Sequence, residues 1–80
     1  MDETQQRLAN CFQVVFPDLT PDAIPNASTA KVAAWDFVAA LTLMNVVEEE
    51  FGLQMDLDDL THLDSFENLY SYLRKRLQAA

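Results

Sequence analysis

Glycine is almost missing from this chain: Gly52 is the only one in 80 residues. A glycine-rich loop that cradles phosphate needs several, so nucleotide binding of that kind is excluded. Cysteine is equally scarce. Cys11 stands alone and cannot close an internal disulfide, which fits a reduced setting. Positive charge is thin as well, with five Lys and Arg against thirteen Asp and Glu and a net charge of −8. Nucleic-acid phosphates demand clustered cations, so no nucleic acid is expected as a partner. Long apolar runs are also lacking. The longest uncharged apolar stretch lies within residues 37–47 and falls short of the roughly 20 residues that span a bilayer, so no membrane is expected either. Met1-Asp2-Glu3 is acidic and leads into no apolar segment; no secretory signal is expected, and the expected location is cytoplasmic.

Half of the residues are apolar, enough for one core and too many for a disordered chain. A chain of this size buries only about 60% of its unfolded surface, so a single domain over residues 1–80 is expected. The acidic charge is unevenly placed. Between Val32 and Leu73 there is no Lys or Arg, whereas nine acids fall inside: Asp36, Glu48, Glu49, Glu50, Asp56, Asp58, Asp59, Asp64 and Glu67. Such a face is either simply solvated or a docking surface for basic partners.

Periodicity places the helices. Over residues 2–16, Leu8, Cys11, Phe12 and Val15 recur at helical spacing, Asp2 and Glu3 favour the N-terminus, and Pro17 ends the run. Residues 17–34 contain all three prolines and show no sustained period, which predicts a long ordered loop pinned by Ile24 and Val32. Residues 36–51 form the second helix, with Asp36 as N-cap and Gly52 just past the end. Leu41, Met44, Val47 and Phe51 are expected on its core face, with Leu43 and Val46 widening an apolar arc broad enough to leave a second face available. A short turn over residues 56–62 is expected to be capped by Asp56 and plugged by Leu57, Leu60 and Leu63. The last helix starts at Asp64-Ser65-Phe66-Glu67, where Asp64 and Glu67 are spaced like a capping box, and its stripe is Phe66, Leu69, Tyr70, Leu73 and Leu77. Arg74, Lys75 and Arg76 suit its C-terminal end. There is no strand signal and the fold class is all-α.

The second helix carries the most specific pattern. Trp35-Asp36-Phe37-Val38 opens it and Glu48-Glu49-Glu50-Phe51-Gly52-Leu53 closes it. This layout resembles the second helix of acyl and peptidyl carrier proteins, which open it on Asp-Ser-Leu and attach 4'-phosphopantetheine to that serine. In the family the serine lies eleven residues before the first acid of a Glu-Glu-Glu-Phe run, and counting eleven back from Glu48 lands on Phe37. The resemblance is densest over residues 35–53, looser over 54–77, and confined to length and helix position over 1–34. It implies a small four-helix bundle with three longer helices, a short third helix and a long first loop. It also implies a monomeric, non-enzymatic carrier of thioester-bound intermediates in fatty-acid, polyketide or peptide-type biosynthesis. Its partners would be a phosphopantetheinyl transferase and acyl-handling enzymes with basic docking surfaces. Carried over residue by residue, Asp36, Phe37 and Val38 form the attachment end, and Leu41, Asn45, Glu48 and Glu49 form the face that partners meet.

The departures matter as much. Phe37 has no hydroxyl, so no phosphopantetheine is expected on this chain. Either a serine has been changed here or the chain is a relative without an arm. Ala39 and Thr42 stand where many members carry acids, and Asn45 where a partner-facing methionine is common. The alternative function is a protein-interaction module that keeps the carrier fold and carries nothing. Phe37 itself is expected to project into solvent from the first turn, and the other possibility is that it folds against Trp35.

Other sites fail on their own chemistry. Ser28 lacks a preceding Asp, and Ser65, although it follows Asp64, is trailed by Arg74, Lys75 and Arg76 and reads as a helix-start residue. Asp56, Asp58 and Glu67 match three positions of a calcium loop, but Leu60 and Thr61 occupy the places of a ligand and the obligatory glycine. His62 has no partner at ligand spacing beyond capping acids, and Cys11 on an apolar stripe reads as an inert buried thiol. No nucleophile or acid–base pair stands in a plausible site, so an enzyme is not expected.

Overall fold

The first helix begins where the chain can satisfy its own free amides. In the computed structural model, which describes residues 2–78, the Asp2 carboxylate accepts from Gln5 N at 2.7 Å. The Gln5 side chain accepts in return from Asp2 N at 2.9 Å. This reciprocal cap opens α1 (Glu3–Val15), which buries Leu8, Ala9, Cys11 and Phe12 and ends with Phe16, also in the core. The proline-rich stretch that follows is ordered by turns and by a 3₁₀ helix, Ile24–Asn26, whose Ile24 is fully buried. Val32 is half-buried, so both expected pins hold.

Asp36 caps α2 (Phe37–Phe51) by accepting from Ala39 N at 2.8 Å. Gly52 ends it in the left-handed conformation at φ 65, where a side chain would be strained. A short α3 (Leu57–Leu60) and a long α4 (Phe66–Gln78) complete the chain. Among the described residues there are four α-helices and no strand; Ser28 and Ser65 form one isolated antiparallel bridge. The fold is therefore all-α, as expected.

The core is aromatic at its centre. The Phe12 ring meets Trp35 and Phe66 edge-on, each with centroids 5.3 Å apart, and lies 6.1 Å from Phe16. Leu43, Val47 and Phe51 from α2 and Phe66, Leu69 and Leu73 from α4 close around it. Arg7 ties α1 to the end of α2. Its Nε meets a Glu50 carboxylate oxygen at 2.8 Å, its Nη2 donates to the Glu50 carbonyl, and its guanidinium lies 4.5 Å above the Phe51 ring.

Four expectations need correction. The core face of α2 is centred on Leu43, Val47 and Phe51, while Leu41 and Met44 are only half-buried at its edge. In so broad an apolar arc, neighbouring helices decide which part turns inwards. Asp56 makes no side-chain cap to α3, and of its three leucines only Leu63 is buried; Leu57 is 59% exposed. The cap of α4 is Ser65, whose Oγ accepts from Asn68 N at 3.0 Å, and Asp64 instead receives the Asn68 side-chain amide at 2.7 Å. The Asp64–Glu67 pairing is displaced because Thr29 N donates to the Asp64 carbonyl and Phe66 N to that of Ala27, fixing the strand-like entry one residue later. Finally, Leu77 belongs to the predicted stripe of α4 but remains 40% exposed.

Candidate functional site

A helix turns about 100° per residue, so residues 37, 38, 41, 45, 48 and 49 share an arc of about 120° on α2. The buried Leu43, Val47 and Phe51 lie on the other side. The six positions singled out from the sequence thus occupy one surface.

Asp36 stands at the head of this face as the N-cap, its carboxylate committed to Ala39 N. Phe37 is the first residue of the helix and keeps 64% of its surface in water; Val38 beside it keeps 69%. The ring points to solvent, whereas Trp35 is buried, edge-on to Phe12 and tilted against Phe16. Leu41 is half-buried and Asn45 exposed. Thr42, where an acid is common in the resembling family, turns its hydroxyl back to the Val38 carbonyl at 3.1 Å.

The three consecutive acids part company. One oxygen of Glu48 accepts from Met55 N at 2.8 Å, which holds the turn after Gly52. Glu50 is engaged by Arg7. Glu49 is exposed and has no hydrogen bond or ion pair among the described residues. Sequence spacing marks Glu48 and Glu49 alike; only the fold separates a pinned carboxylate from a free one.

An open cleft of about 330 Å³ borders the site. It is lined by Trp35, Phe37 and Ala40 at the start of α2 and by Leu60, Leu63 and Asp64 from further along the chain. The sequence reading missed this cleft, because nothing local to residues 57–63 says which helix they face. Leu57, at 59% exposure, is a further large apolar side chain on the exposed surface, as are Val14 and Leu77.

Cys11, His62 and Ser65 take the places expected of them. Cys11 is buried, and burial, followed by the Glu50 charge, pushes its thiol up to about 11. His62 is exposed. Among the described residues, no three His, Cys, Asp or Glu side chains gather as a metal site, and no helix is long and apolar enough to cross a membrane. Ser65 is half-buried and spent on its cap.

No protein-family model matches the chain, and comparisons with curated proteins and with solved structures return no match.

Proposed function

We propose that this chain is a carrier-type domain of the acyl or peptidyl class whose docking end is the start of α2, and which Phe37 keeps unloaded. The observation that carries the reading is the position of residue 37. It is the first residue of a helix capped by Asp36, it stands 64% in solvent, and it lies eleven residues before Glu48. A serine at such a place is open to a modifying enzyme, and a helix N-terminus favours a phosphodiester attached there. Phenylalanine keeps the exposure and lacks the oxygen. The residues present therefore do not fit 4'-phosphopantetheine at this position, and no carrying step runs through this chain as it stands. In a serine-bearing form it would present thioester-bound intermediates to enzymes of fatty-acid, polyketide or peptide-type assembly, without being an enzyme itself. Its partners are a phosphopantetheinyl transferase and acyl-handling enzymes with basic docking surfaces, drawn by the uninterrupted acidity between residues 32 and 73.

A second reading is favoured by the apolar side chains left on the surface. Phe37, Val38 and Leu57 are three of the large apolar residues left exposed among the described residues, and two of them are consecutive. An aromatic with an aliphatic neighbour on the surface is a common contact anchor. On this reading the domain binds partners and carries nothing.

The experiment is direct. Both this chain and a Phe37→Ser variant are incubated with coenzyme A and a promiscuous phosphopantetheinyl transferase and weighed by mass spectrometry. The carrier reading expects the arm on the serine variant alone. Failure of both to gain it would leave the interaction module as the better account, and modification of the parent chain would show that another residue is the acceptor.

A further inference from the structure

We propose that residues 56–62 form a flap tethered at both ends beside the cleft, latched by the hydrogen bond from Tyr72 to Asp59. Two buried side chains bracket the segment, Met55 on one side and Leu63 on the other. None of the seven residues between them is buried, although α3 lies within this stretch. The helix has four residues and no side-chain cap, too little to be stable by itself. Asp59 and Leu60 are only half-buried and no side chain caps the helix, so its polar contacts carry much of the hold on it.

Those contacts divide into a fixed end and a catch. The fixed end is residues 54 and 55. Met55 N donates to Glu48 Oε2 of α2 at 2.8 Å, and the Gln54 carbonyl accepts from Arg76 Nη2 of α4 at 2.7 Å. The chain is thus gripped from two helices just before α3 begins. The catch lies further along, where the Tyr72 hydroxyl donates to Asp59 Oδ2 at 3.1 Å. Arg76 orients that tyrosine: its Nη1 donates to the same hydroxyl, and its guanidinium lies 5.5 Å from the ring centroid. Tyr72 and Arg76 sit one turn apart on α4, so one face of that helix serves both fixed end and latch.

Release of Asp59 leaves residues 54 and 55 held on one side and Leu63 and the Thr29-bonded Asp64 on the other, and lets residues 56–62 lift between these two anchors. Leu60 and Thr61 line the same cleft as Phe37 and Ala40, so the lift widens the cleft at the exposed end of α2. The device is a property of the fold and holds whether or not the domain carries an arm.

Amide hydrogen exchange by NMR on the full chain tests it. The reporters are Asp59, His62 and Leu63, whose amides donate to Asp56, Asp59 and Leu60 carbonyls at 3.0, 3.0 and 3.3 Å. Tyr72→Phe removes the latch with little change in shape, and one net hydrogen bond of local opening corresponds to about fivefold faster exchange at these sites. Amides in the middle of α1 and α2 should keep their parent rates. Tyr70→Phe, which removes the neighbouring hydrogen bond to Asp2 on the same helix, should leave the reporters unchanged. Unchanged reporters in Tyr72→Phe, equal acceleration in α1 and α2, or the same effect from Tyr70→Phe would overturn the proposal. So would reporters that already exchange at free-peptide rates in the parent, since an unlatched flap needs no catch.

Discussion

Replacing Phe37 by serine should cost the fold almost nothing, and the size of that cost follows from the surface the ring leaves in water. Phe37 is 64% exposed, so only about a third of it is covered. Full burial of a phenylalanine contributes about 1.5–3 kcal/mol, which leaves about 0.5–1 kcal/mol at stake. Helix propensities of serine and phenylalanine are close, and the N-cap bond from Asp36 does not involve residue 37. The contrast is Phe12, which is fully buried among Phe16, Trp35 and Phe66. Its removal to alanine should cost about 3–5 kcal/mol, a large part of the stability of so small a domain. Urea unfolding followed by helical circular dichroism reads both variants. The serine variant should fall within about 1 kcal/mol of the parent at an unchanged slope, a melting shift of at most about 4–8 °C. A loss above about 2 kcal/mol would refute the reasoning, because the ring would then be packed in solution and position 37 would not be a point of presentation. The measurement also gives the modification experiment its meaning, since a folded serine variant that stays unmodified speaks about recognition.

Two expectations concern alkaline pH. Because the Cys11 thiol is pushed up to about 11 from an ordinary 9.0, its thiolate at pH 8 should be about a hundredfold scarcer in the folded chain than in urea. Iodoacetamide labelling followed by mass should show at least that ratio of rates, and equal rates would mean that the thiol is not buried. Tyr72 is raised above its ordinary 10.0 by burial first and by its bond to Asp59 second. A raised folded pKa means that each group's contribution is complete below its unfolded value and is lost as pH rises through its folded one. Stability should therefore begin to fall above about pH 9 and fall faster above 10. Melting curves from pH 8 to 11 measure this, and Tyr72→Phe should remove part of the decline.

The helices were legible because their signals are local. Leu8, Cys11 and Phe12 repeat at helical spacing, Asp36 can accept from Ala39 N as soon as the turn forms, and Gly52 is the one residue that takes a positive φ without strain. The exposure of Phe37 was legible for the same reason, since it follows from the first turn of a capped helix. What escaped depends on distant chain. Asp64 and Ser65 can both cap a helix, and the choice is made by Thr29, Ala27 and the bridge to Ser28. Arg7 and Glu50 lie 43 residues apart, and no spacing rule joins them. The inward turn of Leu43 ahead of Leu41 is likewise set by the packing of α2 on α1, because the apolar arc on α2 has no centre of its own.

The same separation bears on how the acidic face can be tested. Nine acids between residues 32 and 73 look equivalent in sequence, yet several have structural duties. Asp36 caps α2, Glu48 holds Met55, Glu50 meets Arg7, Asp59 receives Tyr72 and Asp64 receives Asn68. Neutralising any of these alters a cap, a turn or a helix contact together with the charge, so weaker partner binding in such a variant has two causes. Glu49, Asp56, Asp58 and Glu67 show no side-chain bond among the described residues and are exposed. Glu49 alone combines that freedom with a place on the arc of α2 that runs from Phe37. A carboxylate in that setting contributes to association mainly through long-range attraction, which speeds encounter and weakens with salt. Loss of binding on Glu49→Gln, with the unfolding curve unmoved, is therefore evidence of docking in a way that the same loss on Glu48→Gln is not.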